Sequence, residues 1–412
     1  MMSPHGAGVT PEDDAPTAGA RLWKDPKRYL WPLGLAVPLL PFMDWALVRA
    51  SGLGLFWWFA PLFVYVALPV IDTAIGTDAA NPDESVVAQL EADRYYRWCT
   101  YLYLPLQYAA LVWAAWRVTR GDLPWYDSLG LTITTGIVGG VAINTAHELG
   151  HKRLGYERWL SKVALAQSAY GHFFIEHNRG HHGRVATPED PASSRLGESF
   201  YAFWPRTVVG SMRSAWNLER KRLARSDHRV VSLHNDIMSA WALSVVVFGA
   251  IVAAFGWRAI PFLVIQAIFG FSLLEVVNYL EHYGLRRQLG PDGHYERCQP
   301  RHSWNSNNVA SNVLLYHLQR HSDHHAHPTR RFQALRQFDE APQLPSGYAT
   351  MIVLAYLPPL WRRVMDHRVL EHYGGDVRLA GIQPSKRDEV LARYGGPADC
   401  AGPGPATPVA PE

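Results

Sequence analysis

Cysteine is scarce in this chain. Cys99, Cys298 and Cys400 are the only three in 412 residues, and no two are close enough to form a C-x-x-C pair. A disulfide framework and an iron–thiolate centre are therefore both excluded, and any sulfur-ligated electron carrier must be another protein. Excess charge is lacking too. Thirty-nine basic residues face 36 acidic ones, for a formal charge of +3, too little to argue for nucleic acid. No cleavable leader is evident. A polar stretch precedes the first apolar run, which begins only near Tyr29 and is long enough to remain as a span.

Aromatic and apolar residues are plentiful. With 48% hydrophobic residues, 16 Trp and 19 Tyr, the composition points to a bilayer. The mean hydropathy of -0.11 is low for a chain wholly inside a membrane, so a large polar part is expected on one side. Apolar runs predict six spans, at about 29–48, 55–75, 98–116, 128–146, 237–255 and 259–280. Pro32, Pro38, Pro41 and Asp44 interrupt the first, which is tolerable in a helix covered by protein. Basic residues gather after span four and before span five, from Lys152 to Arg229, whereas the loop after span one holds only Arg49. The positive-inside rule places that polar part, and both termini, in the cytoplasm. The mostly acidic stretch 76–96 fits less well, though acidic residues weigh little in this rule. Met351–Val364, broken by Pro358-Pro359, reads as an interfacial or covering helix. The expected class is all-α and membrane-integral, with six spans and a cytoplasmic histidine-rich cap. One domain covers 22–395, with disordered tails at 1–21 and 396–412.

Nine of the 19 histidines stand in four groups. They are His147 with His151, then His177, His181 and His182, then His282, and finally His321, His324 and His325. Positions i, i+3 and i+4 share a helix face. By that spacing His147/His151, His177/His181 and His321/His324/His325 each offer converging ring nitrogens. All nine follow even-numbered spans and so meet on one side of the membrane. Neutral imidazole suits Fe, Zn, Cu and Ni. One ion takes four to six ligands, so nine candidates imply two ions. His282, alone at the end of an apolar helix, also reads as a hydrogen-bonded structural histidine. Glu148, Glu176, Glu281 and Asp190, together with His172, His317 and His327, are candidates for orienting the ligand rings. His147-Glu-x-x-His151 by itself matches the zinc-protease signature with Glu148 as general base. Such a zinc needs one further protein ligand rather than seven more histidines. A metal transporter would carry its ligands at mid-membrane, whereas these crowd at one face.

Taken together, His147-Glu-Leu-Gly-His-Lys152, Glu176-His-Asn-Arg-Gly-His-His182, Asn278-Tyr-Leu-Glu-His-Tyr-Gly-Leu285 and Leu318-Gln-Arg-His-Ser-Asp-His-His-Ala-His-Pro328 resemble the integral-membrane alkane 1-monooxygenases. Asp190-Pro-Ala-Ser-Ser-Arg195 and Ser303-Trp-Asn-Ser306 add to the likeness, which covers about residues 22–395. Membrane fatty-acid desaturases share the three-box idea but carry His-x-x-His-His in the second box, where this chain has His177-x-x-x-His181-His182. The resemblance implies a diiron enzyme of the bacterial inner membrane that converts n-alkanes and O2 to primary alcohols. The nine histidines would hold two non-haem irons. Electrons would come from NAD(P)H through a reductase and a separate rubredoxin. An alkane dissolved in membrane lipid would enter an apolar channel between the spans, with Val64 as a candidate lining residue. Lys152, Arg153 and Arg179 are candidates for docking an acidic rubredoxin. A diiron desaturase or other lipid hydroxylase is the alternative.

Overall fold

The computed structural model describes residues 24–395. The tails expected at 1–21 and 396–412 lie outside the described residues. Those described form helices and loops, with isolated β-bridges and no strand. Five helices are long and apolar enough to cross a membrane: α1 (Trp31–Ser51), α2 (Gly54–Ile75), α4 (Trp125–Gly150), α8 (Asp236–Phe255) and α9 (Ala259–His282). In the place of the third expected span stands α3 (Tyr103–Thr119), 17 residues long. A shorter helix, Arg94–Tyr101, leads into it, so the apolar run from 98 is broken at Leu102.

The central element is α4. Its most apolar window is 89% buried, against 22% for α2 and 28% for α8. Those outer helices turn apolar side chains outward, as lipid-facing helices do. Glycine sets how closely α4 meets α9. A Cβ on Gly140 would lie 2.8 Å from Leu273 Cδ2 and 3.0 Å from the Gly270 carbonyl oxygen. Small residues of this kind allow backbones to approach where lipid gives no hydrophobic drive to associate. Because α4 runs four residues beyond the expected end of its span, it carries His147 and Glu148 out of the apolar zone on a continuous helix.

The polar part is built from α5 (Gly155–Ala166), α6 (173–184), α7 (Phe200–Arg225), α10 (His321–Ala326), α11 (Tyr348–Ala355) and α12 (Pro358–His372). Helix α7 was not foreseen from the sequence. Its buried residues Phe203, Thr207, Ser211, Ala215, Glu219 and Leu223 recur every four positions, so one face packs inward. The covering helix expected at 351–364 is two helices, because the chain breaks at Tyr356-Leu357 and restarts at Pro358. Proline at a first helical position costs no hydrogen bond. Met351, Trp361, Met365 and Val369 pack with Leu280 and Tyr283 of the α9 end, fixing that terminus against the polar part.

Candidate metal centre

Four pieces of chain converge. The end of α4 supplies His147 and His151, α6 supplies His177, His181 and His182, α9 ends on His282, and α10 supplies His321, His324 and His325. Their ligand atoms form two groups, each within 4.8 Å: His147, His151, His177, His182 and His324, and then His181, His282, His321 and His325.

The sorting cuts across the sequence clusters. Residues Glu176–His181 form a π turn, whose wider i→i+5 register puts His177 and His182 side by side, Nε2 to Nε2 at 3.1 Å. His181 is turned into the other group. The expected one-face pairing of His177 with His181 is therefore corrected by the π turn. Helix α10 is divided in the same way. His321 and His325 meet at 2.9 Å, whereas His324 Nε2 reaches His147 Nε2 at 2.8 Å and His182 Nε2 at 3.0 Å.

These separations test the fit of a metal. Donors about 2.1 Å from one ion lie about 3.0 Å apart at right angles and about 3.4 Å apart in a tetrahedron. The observed 2.8–3.1 Å suits a five- or six-coordinate ion, and five imidazoles exceed a tetrahedral set. Protonation fits as well. Burial first, then neighbouring rings, lowers His151, His177, His182, His321, His324 and His325 well below the ordinary histidine value. Neutral rings are the ligating form.

Two of the clustered rings are held from behind. His181 Nδ1 lies 2.9 Å from Asp190 Oδ2, which leaves its buried Nε2 without a partner. Burial works against the Asp190 carboxyl, yet the His181 ring and the Ser193 hydroxyl bring it down to about 2. His282 Nδ1 faces the His302 carbonyl oxygen at 3.3 Å, again with Nε2 unpartnered. His302 was not singled out from the sequence. The adjoining Ser303-Trp-Asn-Ser306 was the available signal.

Other expected supports sit elsewhere. Glu148 pairs with Lys152 at 3.0 Å and Glu176 with Arg184 at 2.8 Å. His172 packs on Tyr170. His317 lies between Lys27 and the Phe332 carbonyl oxygen, and His327 pairs with Asp323. Among the described residues no hydrogen bond is seen between these five groups and a clustered ring. Lys152 is corrected as a docking residue. It is 4% exposed and donates to the carbonyl oxygens of Thr329 and Arg330. Arg153 and Arg179 are exposed, and Arg179 pairs with Glu219 and Asp236.

An apolar cavity of about 490 Å³ runs from α1 and α2 to the centre. Phe59, Phe63, Val64 and Leu68 line one part, and His147, His177, Glu281 and His321 stand at another. Val64 lies in a second π turn, Phe63–Ala67.

A model of the fatty acid desaturase family matches residues 124–355. Alkane 1-monooxygenase of Acinetobacter baylyi is 50% identical over 379 residues, covering 90% of this chain and 92% of that protein. The chain belongs to the alkane 1-monooxygenase family. Another family member, from Ectopseudomonas oleovorans, is 47% identical over 90% of this chain and 92% of its own length. The xylene/toluene monooxygenase hydroxylase component XylM of Pseudomonas putida is 27% identical over 84% and 91%. In this alkane 1-monooxygenase family chain the desaturase match spans α4 to α11 and so contains all nine clustered histidines. Helices α1 and α2, which wall the cavity, lie outside it.

Proposed function

We propose that this protein is an alkane 1-monooxygenase, taking an n-alkane, O2, two electrons and two protons to a primary alcohol and water. The observation that carries the reading is the apolar cavity that leads from α1 and α2 to three of the clustered histidines. An unactivated C–H bond offers no handle for acid–base or nucleophilic side chains, so its oxidation belongs to a metal cofactor. Two non-haem irons held by the nine histidines would supply the O2 chemistry. The chain does the rest. Asp190 and the His302 carbonyl fix ring orientation, burial keeps the rings neutral, and apolar walls align the substrate and keep water away.

The fuller reading has α3 as a third span, giving six, in a bacterial inner membrane with the polar part and both termini cytoplasmic. Residues 22–395 form one hydroxylase domain. Electrons arrive from a separate rubredoxin and an NAD(P)H-dependent reductase. His151 and His182 are the two clustered histidines that are not fully buried, and exposed Arg153 and Arg179 lie near them in sequence, so donor docking is assigned to that side. The test is conversion of a mixed n-alkane series by whole cells supplied with rubredoxin and reductase, read by gas chromatography. Primary alcohols are expected. Alkenes would transfer the reading to a desaturase, which the family match at 124–355 favours as the second candidate.

A further inference from the structure

A file of stacked rings leads away from the larger histidine group. His177 stacks on Phe173, with ring centres 4.9 Å and planes 27° apart. Phe173 faces Tyr170 at 6.5 Å and 29°. Tyr170 lies nearly flat on Phe271 of α9 at 4.8 Å and 12°, and Phe271 on Trp204 of α7 at 5.8 Å and 22°. Trp204 is partly exposed. Phe173 and Phe271 have no acidic proton to shed, so within the buried part of the file only Tyr170 can settle as a neutral radical.

The Tyr170 hydroxyl is placed for that. It is buried and donates to Glu275 Oε1 at 2.7 Å. Glu275 is buried as well, and its Oε2 accepts from the Thr207 hydroxyl at 2.9 Å and the Asn278 amide at 3.2 Å. Burial first, and then Glu275, holds the Tyr170 proton in place well above the ordinary tyrosine value. That proton therefore leaves only as the ring loses an electron. Tyr348 is the competing phenol. It donates to Glu281 Oε1 at 2.8 Å, but Glu281 Oε2 faces His321 Nε2 at 3.3 Å, so that carboxylate is tied to the smaller histidine group, whereas the partners of Glu275 are Tyr170, Thr207 and Asn278.

We propose that Tyr170 is a one-electron reservoir for the metal centre, with Glu275 as its proton acceptor. The inference rests on the proposed diiron centre. When O2 is activated with no alkane in the cavity, the oxidised centre takes one electron from the Tyr170 ring by way of Phe173 and His177, and the phenolic proton crosses to Glu275. The O–H bond breaks, Glu275 becomes the neutral acid, the centre is reduced by one electron and a phenoxyl radical remains. Electrons from the donor then reverse the step: the refilled centre returns an electron to the ring and Glu275 returns the proton. Phe173 lines the apolar cavity beside His177, so an oxidising equivalent left at the centre would otherwise be spent on the cavity wall.

The experiment loads the full chain with Fe(II), adds hydrogen peroxide without alkane and freeze-quenches for EPR, in wild type, Tyr170→Phe, Glu275→Gln and Tyr348→Phe. A tyrosyl radical is expected in wild type, narrowed by ring-deuterated tyrosine and absent from Tyr170→Phe. Glu275→Gln should slow its formation about 100-fold, because an amide accepts the hydrogen bond but not the proton. Tyr348→Phe should leave the signal unchanged. With alkane present Tyr170→Phe should hydroxylate at the wild-type rate, yet lose activity in fewer turnovers once alkane is withheld. No tyrosyl radical in iron-loaded wild type overturns the proposal, as does a signal that survives Tyr170→Phe or disappears in Tyr348→Phe. Radical formation at the wild-type rate in Glu275→Gln also overturns it, which decides the matter should Tyr170→Phe misfold. Wild type that binds no iron sinks the centre and this inference together, whereas wild type that forms the Tyr170 radical but makes no alcohol sinks only the alkane reading.

Discussion

Asp190→Asn perturbs a single contact of known geometry. The carboxylate takes His181 Nδ1 at 2.9 Å and the Ser193 hydroxyl at 2.6 Å on Oδ2, and the Ala192 backbone N–H at 3.2 Å on Oδ1. An amide cannot meet all three. If its oxygen stays toward His181, its NH2 opposes the Ala192 donor. If it flips, its NH2 opposes the ring, and the favoured tautomer becomes the one with its proton on Nε2. That proton points into the group of His181, His282, His321 and His325 and must leave before a metal can bind. Loss of such a support costs about 10–100-fold in metal affinity, or about 1.4–2.7 kcal/mol. The assay titrates iron-loaded protein with a graded chelator and measures retained iron by mass spectrometry. One ion should come off at 10–100-fold lower chelator than in wild type, with the other unmoved. Equal retention of both ions by Asp190→Asn refutes the orienting role.

Four further outcomes follow from the same geometry. Alanine at His181, His282 or His325 should remove the ion of the smaller group and abolish turnover, and full activity in purified protein would refute the centre. Val64→Trp fills the cavity beside the π turn and should shorten the longest alkane accepted, whereas unchanged product lengths by gas chromatography would remove Val64 from the channel. Gly140→Leu forces atoms into the α4–α9 contact, so thermal unfolding in detergent should register a loss of about 1–3 kcal/mol; an unmoved transition would show that the helices do not meet there. Lys152→Met leaves Glu148 buried without its cation, which should destabilise the fold by about 3–5 kcal/mol while the KM for rubredoxin stays constant, and a raised KM in fully folded protein would restore Lys152 to the docking surface.

Much of the centre was legible before any fold was known. Nine histidines at 147–182, 282 and 321–325 exceed the needs of one ion, and those same nine meet in space. The apolar runs also located the long helices, because hydropathy over about twenty residues is a local property of the chain. Boundaries were less legible. The run at 98–116 conceals a break at Leu102, and α7 lies in a stretch too polar to register as a span.

By itself the sequence singled out the nine histidines that come together in the fold, since residue chemistry and helix spacing are written locally. Only tertiary structure decided which histidines share a group. The π turn at Glu176–His181 shifts His182 beside His177 and sends His181 away, a change of one residue in register that helical spacing cannot foresee. It likewise decided that Asp190 supports a ring, that Lys152 is buried, and that Glu281 faces His321. The last two depend on segments 40 and 177–178 residues apart being packed together, and side-chain direction at such a meeting is set by packing, not by the order of the chain.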